Sequence, residues 1–123
     1  MSVNAYQVYR QTQVNTASQG ELILMLFDGA IRFANQAQEL IAEGDLEGAN
    51  GKLIRAQDIM TELMVSLDMD QGEIAQNLYQ LYDYIHDCLL RANIRKDVGL
   101  IEQAVRLLAE LRDTWRQVVA KSS

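Results

Sequence analysis

No proline interrupts this chain of 123 residues, and that absence constrains its fold more than any other feature. Proline costs ~3 kcal/mol inside a helix and commonly punctuates loops and sheet edges. A chain without it, rich in Leu, Ala, Gln, Glu and Arg and poor in β-branched runs, gives little reason to propose strands. Apolar residues instead recur at steps of three and four in four successive stretches. The first, over 17–42, carries Leu22, Leu26, Gly29, Phe33, Ala37 and Leu40. The second, 46–67, carries Leu46, Ala49, Leu53, Ala56, Met60, Leu63 and Leu67. The third, 73–93, uses Ile74, Leu78, Leu81, Ile85, Cys88 or Leu89, and Ala92; the fourth, 97–120, uses Ile101, Val105, Leu108, Leu111, Trp115 and Val118.

The boundaries carry capping chemistry. Ser18 and Glu21 have the spacing of a capping box, as do Asp70 and Glu73. Gly44 suits the left-handed position after a helix and Asp45 the cap of the next, a hinge that makes the second helix antiparallel to the first. Ile94-Arg95-Lys96 reads as a link, with Asp97 capping the fourth helix. Helices of roughly 33–36 Å, at 1.5 Å per residue, joined by short loops predict an all-α, antiparallel up-down-up-down four-helix bundle over 17–120.

Residues 1–16 differ. Polar, uncharged Asn4, Gln7, Gln11, Gln13 and Asn15 interleave with Val3, Tyr6, Val8, Tyr9 and Val14. Tyr6 and Tyr9 would share one side of a helical turn. The segment is expected to be a partly ordered N-terminal arm, either frayed or docked in a groove of the bundle.

Composition excludes several functions. The single cysteine, Cys88, permits no internal disulfide and suits a small core residue in a reducing cytosol. No apolar run reaches the ~18 residues of a membrane span, and the opening residues lack signal-peptide order. A net charge of −6 argues against nucleic acid and anionic lipid; only Arg91, Arg95 and Lys96 approach a basic cluster, at a helix end. His86 stands three residues after Asp83, but di-iron bundles need two such pairs and two further carboxylates. Asp68-x-Asp70-x-Gly72 departs from a calcium loop, with glycine one place early and Tyr79 at the twelfth position. No phosphate loop, zinc spacing or nucleophile triad is present. The expectation is a protein with no catalytic site, metal or cofactor, and not an enzyme.

Surplus apolar residues remain. Ile23, Met25, Phe27, Ile31 and Ala34 fall outside the first stripe, Ile54, Ile59 and Met64 outside the second, Tyr79, Tyr82 and Tyr84 outside the third. Such a Met- and Tyr-rich surface suits reception of amphipathic helices. The candidate partner-binding residues are Tyr6, Tyr9, Ile23, Met25, Phe27, Ile54, Met64, Tyr79 and Tyr82. The alternative is a structural bundle whose spare face makes a constitutive homo-oligomer. Gly29, which costs ~1 kcal/mol in a helix interior, predicts close approach of a neighbouring helix.

The stretch VNTASQGELILMLFDGAI, with the Ala5-Tyr6 pair upstream of it, resembles the opening of the flagellar export chaperone FliS family. The likeness continues through KLIRAQDIMTELMVSLDM, GEIAQNLYQLYDYI, ANIRKDV and LLAELRDTWRQV. Gln19 stands where members often have proline at the first helical turn, a change that only weakens the helix start. The resemblance implies a cytoplasmic chaperone that binds the C-terminal amphipathic segment of flagellin 1:1, prevents premature polymerisation and delivers the subunit to the flagellar type III export apparatus. It also implies contact with export-gate components, an N-terminal arm that acts as a lid until the client displaces it, and a homodimer as an alternative client-free state.

Overall fold

The computed structural model describes residues 19–122, so the arm expected over 1–16 and the Ser18 cap lie outside the described residues. Within them, four α-helices follow in order: α1 (Gln19–Ala42), α2 (Leu46–Ser66), α3 (Glu73–Arg95) and α4 (Val98–Ser122), with one 3₁₀ turn at Met69–Gln71. Each helix packs on the next, and α4 closes the ring against α1. Short connections reverse the chain at each step, giving the predicted up-down-up-down bundle.

The turns follow local chemistry. Gly44 takes a φ of 83°, its N–H reaches the Ile41 carbonyl at 3.0 Å and the Asp45 N–H reaches the Leu40 carbonyl at 2.8 Å, the paired bonds that end a helix in a left-handed residue. Asp45 Oδ1 then accepts from the Gly48 N–H at 2.8 Å and starts α2. At the far end Asp97 caps α4, accepting from the Gly99 N–H at 2.9 Å and the Leu100 N–H at 3.3 Å.

Two expected boundaries are corrected. The Asp70–Glu73 capping box does not form: Gly72 caps α3 with no side-chain bond, and Asp68 instead accepts from the Asp70 N–H at 3.0 Å to build the 3₁₀ turn. Asp68 wins because its carboxylate reaches two residues ahead in an Asx turn. The expected link at Ile94 and Arg95 is helical, and α3 ends at Lys96, which holds φ 52°. The ammonium of Lys96 donates to the Asn93 carbonyl at 2.6 Å and to its Oδ1 at 2.9 Å, closing the helix end from the side chain. Asn93 in turn donates to Asn50 Oδ1 at 2.8 Å, a polar clasp between α3 and α2 beside an otherwise apolar core.

The core runs through Phe27, Ala30, Ala34 and Ala37 of α1, Leu53, Ala56, Met60 and Leu63 of α2, Tyr82, Ile85, Cys88 and Leu89 of α3, and Ile101, Ala104 and Leu108 of α4. The α1 centre is therefore rotated from the expected stripe, whose Leu26, Phe33 and Leu40 are only partly buried. Gly29 sits on that flank, where an added Cβ would lie 3.2 Å from Ile59 Cδ1, the close approach expected of it. Leu46, Ile74 and Val118 belonged to the expected stripes yet are exposed, Ile74 by 72 %. All three lie near helix ends, where the described helices leave them exposed.

Candidate functional site

The start of α1, the end of α2, the start of α3 and the far half of α4 meet at one end of the bundle around an apolar groove of about 1160 Å³. Its buried floor includes Phe27 and Tyr82, whose rings meet tilted at 55° with centroids 6.2 Å apart. Partly buried Ile23, Leu67, Leu78, Leu81, Leu107, Leu111 and Trp115 supply the walls, and exposed Ile74 and Val118 extend the apolar surface outward. Burial pushes the Tyr82 phenol up to about 12, so it is neutral in the groove near pH 7.

Trp115 fixes one side of this space: its indole N–H donates to the Gly20 carbonyl at 2.9 Å. That carbonyl lies in the first turn of α1, so the bond ties α4 to α1 at the groove. Further along the same helix pair, Arg112 reaches Asp28 at 3.4 Å. The charged residues among the lining are Glu21, Asp68 and Glu110, all acidic, so the groove joins an apolar interior to a negative rim.

The expected site residues separate into groups. Ile23, Phe27 and Tyr82 meet in the groove, where Phe27 and Tyr82 are core residues as well as lining. Met25, Ile54 and Tyr79 are exposed and outside the lining, and Met64 is partly buried. The Asn50–Asn93 bond sets the antiparallel register of α2 and α3, and it places Met64 level with Tyr79 and Ile54 level with Leu89. Exposed Leu90 and Ile94 lie on α3 near that level, so the α2–α3 flank carries a second, shallower apolar strip. Tyr6 and Tyr9 lie outside the described residues. The spacing places Leu67, Leu78, Leu81, Leu111 and Trp115 on core stripes, and spacing does not distinguish a core face from a groove face; Leu107 lies outside the expected stripe of its helix. Asp83 is exposed and His86 partly buried, and no cluster of three metal-ligating side chains occurs among the described residues.

Residues 2–122 match the family described as Flagellar protein FliS. The chain belongs to this family. It is 39% identical over 124 residues to the flagellar secretion chaperone FliS of Salmonella typhimurium, covering 98% of this chain and 92% of that one. It is 37% identical over 116 residues to the flagellar secretion chaperone FliS of Bacillus subtilis (94% and 86% covered), and 34% identical over 119 residues to that of Escherichia coli (95% and 88%). The likeness thus spans the helices that build the groove. No described helix is long and apolar enough to cross a membrane.

Proposed function

We propose that this FliS-family chain is a cytosolic flagellar secretion chaperone, not an enzyme, that binds the C-terminal amphipathic segment of flagellin 1:1. The observation that carries the reading is the apolar groove at the open end of a bundle whose relatives are named flagellar secretion chaperones. A client helix that would otherwise self-associate buries its apolar face against Ile23, Leu78, Leu111 and Trp115, and the strip through Ile54, Met64 and Tyr79 extends the contact along α2 and α3. Covering that face prevents premature polymerisation. Ordering each client residue costs ~1–2 kcal/mol, so an extended interface yields only modest affinity and permits release at the flagellar type III export apparatus. Export-gate components are the expected second partners.

Residues 1–16 act as a lid in this reading, with Tyr6 and Tyr9 as anchors. Gln19, Gly20 and Glu21, the first described residues of α1, line the groove, which supports the reading. Co-purification with full-length and C-terminally truncated flagellin tests the assignment: the complex forms with the first and is lost with the second. Equal retention of both would refute it. A constitutive homo-oligomer remains the competing structural reading, and sedimentation with and without flagellin separates them.

A further inference from the structure

We infer that the α1–α2 flank around Phe33 is a docking site for an acidic, amphipathic segment of a second protein, separate from the end groove. Three cations crowd one partly buried ring: the guanidinium carbon of Arg32 lies 5.3 Å from the Phe33 centroid, the Lys52 ammonium 5.6 Å and the Arg55 guanidinium carbon 5.6 Å. None of the three takes part in the ion pairs of the described residues, which join Arg91, Arg112 and Arg116 to Asp87, Asp28 and Asp113. In a chain with 17 acidic and 11 basic residues, a convergence of three cations outside every ion pair of the described residues is unexpected. The three charges lie within roughly a Debye length of one ring, so they repel one another with limited screening. Attraction to the ring face offsets only part of that repulsion. A negative partner relieves the rest.

The ring decides what kind of partner. A free anion would neutralise the cations without touching the part of the Phe33 ring that remains exposed, whereas a helix carrying an apolar side chain flanked by carboxylates meets both. Three cations on a chain of charge −6 are too few for nucleic acid, whose binding neutralises many phosphates. The groove rim, with Glu21, Asp68 and Glu110, has the opposite charge. An acidic segment is therefore repelled from the groove and drawn to Phe33, so the two surfaces sort their partners by charge.

Fluorescence anisotropy on the full chain tests this with a labelled peptide of Glu-Leu-Ala-Glu repeats and a control with Gln in place of Glu. The wild type is expected to bind the acidic peptide, more weakly as salt rises, and the control poorly. The combined variant Arg32→Gln, Lys52→Gln, Arg55→Gln should bind it about tenfold more weakly while still co-purifying with flagellin. If circular dichroism shows that this variant has unfolded, Arg55→Gln alone carries the comparison, with about a two- to threefold loss. Equal affinity of wild type and folded variant, or no binding by the wild type, overturns the site. Inorganic phosphate or phosphatidylglycerol vesicles binding the wild type more tightly than the peptide would overturn the choice of partner. Loss of flagellin by a folded variant would overturn the separation of the two surfaces.

Discussion

Trp115 on α4 donates its indole N–H to the carbonyl of Gly20 on α1 at 2.9 Å, joining residues 95 positions apart beside the groove. Trp115 is the only tryptophan, so the chain's indole fluorescence reports on this one wall. Saturating flagellin is expected to shift its emission. Trp115→Phe keeps most of the ring but removes the donor, and should cost about 1 kcal/mol in urea denaturation. An emission spectrum insensitive to flagellin would place the client elsewhere.

Neighbouring apolar residues on α1 should respond oppositely to substitution. Met25 is 51 % exposed and Phe27 2 %. Met25→Glu is expected to leave the melting temperature almost unchanged, whereas Phe27→Ala should lose ~3–5 kcal/mol through the cavity it opens beneath the groove. Thermal melts followed by circular dichroism give the comparison. A large stability loss at Met25 would contradict its exposed position.

Tyr82 sets an alkaline limit. Its phenol is raised from 10.0 to about 12 by burial, so the folded state holds the proton more tightly than the unfolded state does. Its contribution is fully present below pH 10 and is lost as pH rises from about 10 to 12, by roughly 2–3 kcal/mol. Tyr82→Phe should flatten this part of the stability profile. A profile unchanged by the substitution would show that the phenolate is solvated in the folded protein.

The proposed lid predicts a change in protease sensitivity. If the arm docks where the client docks, flagellin releases it, and trypsin should cut after Arg10 faster in the complex than in the free protein. Greater protection in the complex would make the arm part of the client site.

What was legible in the sequence was what neighbouring residues decide. Gly44 and Asp45 turn the chain with side chain and φ alone, Asp97 caps through an adjacent turn, and Cys88 lies on a face apolar enough to be buried. The groove was not legible, because Trp115 and Val118 share the spacing of Ile101 and Leu108. Which of them meets a neighbour depends on where the helices cease to cover one another. The place of Phe27 on the core face was hidden for a related reason: a stripe through Leu26 and Phe33 is as regular as one through Phe27 and Ala34, and only the positions of α2 and α4 choose between them. The cluster at Phe33 left no local trace, since antiparallel pairing brings Arg32 to residues about twenty positions away.

The closure of the ring by α4 has a consequence for when the protein becomes competent. Leu107, Leu111, Trp115 and Val118 come from the last helix, whereas Gly20, Ile23 and Phe27 come from the first. A nascent chain still holding α4 in the ribosome lacks the groove wall that this helix supplies. If the groove is the client site proposed above, capture begins only after translation has delivered the far half of α4, and a chain cut short before Leu107 lacks that wall altogether.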